Sequence, residues 1–145
     1  MENSILAPAA ALVVWSIIML IWLAATRLPA LSKIGIDINK AVGGRGADID
    51  PNVPASVAWK SHNYAHLMEQ PTIFYATIMI LAISNAATPL MVSFAWGYTI
   101  LRVVHSIWQA TINKVGIRFV IFLLSTICLT VLAVHALLAT ISGGR

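Results

Sequence analysis

The sequence predicts an all-α integral membrane four-helix bundle in a single domain, and three observations predict it. Of 145 residues, 59% are hydrophobic and only 10% are charged, with mean hydropathy +0.87. A soluble domain carries about 25% charged residues, so this chain cannot cover itself with polar surface. Its apolar residues fall into four runs, each near the roughly 20 residues that a spanning helix needs. No segment of roughly ten residues alternates apolar and polar as a barrel strand would. A closed barrel is therefore excluded and helices remain.

The first helix is expected over about 5–28, from Ile5 to Leu28, with Pro8 tolerable in its first turn. No basic stretch and small-residue cleavage site precede soluble sequence there, so this run reads as a retained span. The second is expected over about 61–84. The third runs over about 90–112, after a turn around Asn85 and Thr88-Pro89. The fourth runs over about 117–140 and ends before Ser142-Gly143-Gly144. The only long connection, about 29–60, carries Lys33, Lys40, Arg45 and Lys60 against Asp37, Asp48 and Asp50. Its stretch VGGRGADIDPNVP is turn chemistry. The Asp spacing lacks the remaining ligands of a calcium loop, so a solvated loop is expected.

The net charge is +4, but the basic residues sit at the ends of the apolar runs and form no aromatic-interleaved patch. They read as topology signals, and no nucleic-acid partner is expected. Arg27 to Lys60 flank the first connection, Lys114 and Arg118 flank the third, and the second has none. The first and third connections should face the cytoplasm, with both termini on the other side; among terminal residues only Arg145 is basic. Trp59 and Trp108, near the loop ends, suit interfacial anchoring. The single Cys128 lies within the run FLLSTICLTVL and makes neither a disulfide framework nor a zinc site.

Polar residues inside spans usually face a bundle interior or cavity. In "HNYAHLMEQP", residues 62–71, His62, His66 and Glu69 share one helix face. On the third helix Arg102, His105 and Gln109 do the same. Counting from the basic connections at about 1.5 Å per residue, Glu69 lies roughly 12 Å deep and Arg102 roughly 15 Å deep. A direct Glu69–Arg102 pair is therefore expected, since either charge alone in hydrocarbon is unfavourable. His66 and His105 form a shallower layer, with His62, Asn63, Gln109 and Arg118 nearer the mouth. The pair is either a buried clamp or the floor of a polar pocket, and eight polar residues are more than one clamp needs. Pro71 removes a backbone donor, so a kink beside Glu69 is expected.

The stripe His62, His66, Glu69 also has metal-ligand character. Asn63 stands where H-E-x-x-H has its Glu, and no second carboxylate completes a di-iron bundle. No metal is expected, and bis-His haem between His66 and His105 is a weaker alternative. His135 is expected to be a satisfied interface residue. No Ser/His/Asp set or phosphate loop is present.

Two motifs carry a resemblance. "NYAHLMEQPTIFYA" (63–76) and "LRVVHSIWQATINKVGIRF" (101–119) resemble the second- and third-helix patterns of the MAPEG family, the membrane-associated proteins of eicosanoid and glutathione metabolism. The match is to a bacterial variant and extends over essentially the whole chain. The resemblance implies a homotrimer in the bacterial inner (cytoplasmic) membrane, with glutathione bound between protomers near the cytoplasmic side. By position, Glu69 is similar to the family's glutathione-contacting Glu, and Arg118 to the Arg that stabilises the thiolate. Arg102 and His105 match the third-helix Arg and His, and Arg27 the Arg ending the first helix. Four departures stand out: His66 replaces an Asn, Gln109 replaces a Tyr, and Phe119 and Phe122 stand at expected hydroxyl positions.

Glutathione chemistry needs an Arg beside the sulfur to favour the thiolate, which then attacks an electrophile dissolved in the bilayer. Basic and amide groups, namely Arg118, Lys114, Asn63 and Gln109, are suited to holding the tripeptide's carboxylates. The expected activity is thus glutathione-dependent transfer or peroxide reduction on lipophilic compounds, with Arg118 catalytic. Glu69, His66, Asn63, Arg102, His105, Gln109, Lys114 and Arg27 are the expected ligand-binding residues. The alternative is a non-catalytic membrane subunit that binds a lipid, a quinone or a larger membrane complex, which the two Phe positions favour.

Overall fold

The computed structural model describes residues 2–142, with side chains from Ile5 onward; Arg145, the basic residue at the C-terminus, lies outside them. Four long helices dominate: α1 (Glu2–Lys33), α3 (Ala55–Ile83), α4 (Pro89–Thr111) and α5 (Val115–Ser142). A short α2 (Gly46–Ile49) and a 3-10 turn (Asp50–Asn52) lie in the first connection. That connection is shorter than expected because α1 continues through Pro29 to Lys33 and α3 starts at Ala55 rather than near residue 61. Pro54, with φ −54°, is preset to start α3.

Local chemistry ends α3 and bounds α4 within a residue or two of where the sequence suggests. The Thr88 side chain accepts from the Met91 N–H at 3.3 Å, and Pro89 follows as the first residue of α4. Asn85 and Asn113 both take φ 55°, the left-handed conformation that Asn tolerates when a helix closes.

Three helical segments are long and apolar enough to span a membrane: Ile5–Lys33, Pro89–Thr111 and Val115–Ser142. Helix α3 has 29 residues, ample length for a span, but Lys60, His62, Asn63, His66, Glu69 and Gln70 crowd its first half. Its polarity is the cost of carrying the candidate site. Helix α4 packs most extensively on α5 and α1 on α3, while α4 also bridges to α1 and α3.

The core is a continuous apolar seam. Ile5, Leu12 and Met19 recur at two-turn spacing along α1 and meet Leu67, Phe74, Ile78 and Leu81 of α3. Phe74 stacks on Tyr98 of α4 with ring centroids 4.2 Å apart. Leu129, Leu132 and Ala136 close the seam from α5. In a bilayer such contacts hold helices together by close packing rather than by exclusion of water.

Candidate functional site

Helices α3, α4 and α5 enclose a cavity of about 160 Å³ near the α4–α5 turn. His66, His105, Val115, Arg118, Phe119 and Phe122 line it. The turn itself positions Arg118. Asn113 closes α4 by donating its backbone N–H to the Trp108 carbonyl at 2.8 Å. Its side-chain Oδ1 accepts from Arg118 Nη1 at 2.6 Å. Trp108 Nε1 donates to the Lys114 carbonyl at 3.2 Å and braces the same turn. Asn113 falls within the second motif, where polarity and depth give it no role; an Asn at a helix end, one turn before an Arg, is the signal that marks it.

The expected His layer is present. His66 and His105 meet edge to face, with ring centroids 5.1 Å apart. Phe122 stacks on His66 at 5.5 Å and 24°. On its other edge, His66 Nδ1 lies 3.0 Å from Glu69 Oε2. The Glu69 side chain is 69% exposed in the protomer.

The expected Glu69–Arg102 pair is not formed. Arg102 is fully buried and its Nη2 donates instead to the His66 carbonyl at 3.3 Å, in the turn before Pro71. Its guanidinium lies 5.8 Å from the Tyr98 ring centre and 5.5 Å from that of Phe122. The reason is angular. Arg102 reaches α3 on the buried side that carries Leu67, whereas Glu69 lies on the exposed side. Equal depth does not put two side chains on facing sides of their helices. Arg102 Nε and Nη1 are left without partners among the described residues.

The other expected residues divide. Asn63 is buried away from the cavity, where its Nδ2 donates to Ser106 Oγ at 2.8 Å; Trp15 Nε1 donates to that hydroxyl at 3.0 Å. Gln109 is buried, with its Oε1 unpartnered among the described residues. Neither therefore stands at the mouth beside Arg118. Lys114 is exposed on the turn. Arg27 and His62 go to Asp50: Arg27 Nη2 lies 3.1 Å from one carboxylate oxygen and His62 Nε2 3.0 Å from the other. Arg27 also donates to the Gly46 carbonyl. The first connection, expected to be a solvated loop, is thus tied to α1 and α3 through one acidic residue. His62 is thereby separated from His66 and Glu69, and among the described residues no three His, Cys, Asp or Glu side chains converge on a metal position. His135 lies 3.2 Å from the Ala86 carbonyl, a satisfied contact between α5 and the α3–α4 turn.

The donor set suits an anionic ligand. Arg118 and His105 stand on the cavity wall, and the guanidinium of Arg102, with two nitrogens unpartnered among the described residues, lies 5.5 Å from the ring centre of Phe122. At about 160 Å³ the cavity is smaller than the roughly 300–1,000 Å³ of a small-molecule site. A family model described as the MAPEG family matches residues 5–138. No curated protein and no solved structure matches the chain.

Proposed function

Because the chain belongs to the MAPEG family, whose members commonly use glutathione, we propose that it is a glutathione-dependent transferase or peroxidase. Its substrates are lipophilic electrophiles drawn from the bilayer. The observation that carries this reading is the placement of Arg118. Its guanidinium is fixed by Asn113 on the wall of a cavity whose other wall, Phe119 and Phe122, faces outward. A cation beside the sulfur favours thiolate over thiol. A half-exposed aromatic wall is where an apolar electrophile would enter from lipid.

The pocket is shared between copies of the chain, in a homotrimer. A carboxylate at 69% exposure, on a helix long enough to span, is unfavourable where it meets hydrocarbon by about 3 kcal/mol. A second copy covering the α3 face would remove that cost. Ala65, Thr72 and Ala76 lie near Glu69 on the exposed side, and small residues let helices approach closely. The basic residues of the α1–α3 and α4–α5 connections support a cavity mouth on the cytoplasmic side of the bacterial inner membrane.

The test is calorimetric titration of glutathione into the detergent-solubilised protein, with and without Arg118→Ala. Binding at millimolar glutathione or below, lost in the variant, supports the assignment. Absence of heat removes the transferase reading. Binding unchanged by Arg118→Ala removes only the role of Arg118. The mass of the protein in detergent tests the trimer.

A second reading is a non-catalytic subunit for a lipid, a quinone or a larger membrane complex. Phe122 favours it, since it stacks on His66 and shields Arg102 where a hydroxyl would reach a peptide ligand.

A further inference from the structure

We propose that His66 is the general base of this site, and that Glu69 holds its ring in the tautomer whose Nε2 is free to take a thiol proton. This role rests on the glutathione reading of the site and adds the route by which the proton leaves.

An ionised carboxylate only accepts hydrogen bonds. With Glu69 Oε2 at 3.0 Å, His66 Nδ1 carries the hydrogen, and Nε2 of the neutral ring carries the lone pair. Among the described residues that nitrogen has no hydrogen-bond partner. The ring forms part of the cavity wall beside Arg118, and Phe122 stacked at 24° fixes its plane. A carboxylate that orients an imidazole and offsets the charge it acquires is the arrangement of hydrolase triads. His105, edge-on at 5.1 Å, has no carboxylate on its ring. The charged and titratable groups facing His66 are Glu69 on its own helix, Arg102 and His105 from α4, and Arg118 from α5.

The step balances without an oxidant. The S–H bond of the bound thiol breaks and an Nε2–H bond forms. The electron pair stays on sulfur, facing Arg118, and Glu69 offsets the imidazolium. Sulfur then bonds to the electrophilic carbon, and the displaced pair goes to the leaving atom. A basic leaving atom recovers the proton from Nε2, whereas a halide departs as the anion and Nε2 releases its proton to water. The family pattern has Asn at this position, which cannot act as a base, so this chain would have a second device for making thiolate besides its Arg.

The test uses the full chain in detergent, comparing wild type with His66→Asn and His66→Gln. Three quantities are read: glutathione Kd by calorimetry, the ultraviolet thiolate band of the complex across pH, and kcat and KM with a halogenated nitrobenzene. The expected result is a Kd within about threefold of wild type in both variants, and a kcat lower by about 100-fold with little change in KM. The thiolate band should then appear only at higher pH. A wild-type thiolate profile in His66→Asn, with binding intact, overturns the inference and leaves the transferase reading standing. If His66→Asn does not fold, His66→Gln, checked by its melting profile, decides the same question. No heat from the wild-type protein overturns both.

Discussion

His66 stands between Glu69 and Arg102. Its ring Nδ1 lies 3.0 Å from the Glu69 carboxylate, and its backbone carbonyl accepts Arg102 Nη2 at 3.3 Å. Two charges that depth alone would pair are thus joined through a third residue. The arrangement leaves the carboxylate free to act on the His66 ring. It also leaves the guanidinium buried with two of its nitrogens unpartnered among the described residues.

Arg102→Met tests what the guanidinium is for. A buried cation with incomplete pairing contributes little to stability, and apolar replacement of similar volume is often neutral or stabilising. The melting temperature in detergent is expected to stay level or rise, while glutathione binding weakens by at least about tenfold. A sharp fall in melting temperature would make Arg102 a structural clamp instead.

Asn113→Gly separates backbone from side chain at the α4–α5 turn. Glycine adopts φ 55° freely, so the turn persists while the acceptor for Arg118 is lost. A hydrogen bond to a charged group is worth about 1.5–3 kcal/mol. Glutathione affinity should fall about tenfold or more, with melting lowered by no more than the loss of that one bond. Calorimetry and a thermal scan on one preparation check both.

Phe122→Tyr places a hydroxyl in the cavity wall. With one additional hydrogen bond of about 1 kcal/mol, affinity for glutathione should rise about fivefold. Unchanged affinity in a folded variant would mean that the ligand does not reach this wall, which favours the lipid- or quinone-binding alternative.

Asp50→Asn tests the clasp on the first connection. Asp50 and Arg27 have side chains only 11% and 12% exposed, so their ion pair is shielded more than a surface pair. Losing the carboxylate charge should release α2 and the adjoining 3-10 turn from α1 and α3. Hydrogen exchange over residues 46–53 should accelerate, with a stability loss of about 1–2 kcal/mol. Unchanged exchange would show that the packing of Ile49 and Val53 with Leu31 and Ala58 holds the segment without the ion pair.

Much of the site is legible in the order of residues alone. The i, i+4, i+7 spacing of His62, His66 and Glu69 marks a stripe, and Arg102 with His105 marks its counterpart. The layer of His66 and His105 follows from their equal depth, and the rings do meet at 5.1 Å. The Glu69–Arg102 pair does not form because depth is one coordinate of two. The angle at which each side chain leaves its helix depends on how the helices rotate against each other, and α3 meets α4 there through Phe74 stacked on Tyr98. Asp50 is hidden for a different reason: its two partners, Arg27 and His62, lie 23 residues before and 12 after it, with no local pattern linking them.

The sequence by itself determined the class of molecule. Hydrophobic runs of spanning length, with a turn marked by Asn85 and Thr88-Pro89, leave no architecture but a helical membrane bundle. These are properties of single segments, and the backbone's need for internal hydrogen bonds in lipid allows no alternative. Only the tertiary structure decided which polar groups meet. Asn63 and Gln109 turn into the bundle, Arg27 and His62 close on Asp50, and Arg118, His66 and His105 share one cavity. Those choices rest on side-chain packing between helices far apart in sequence, where a rotation of one residue's angle exchanges a buried partner for an exposed one.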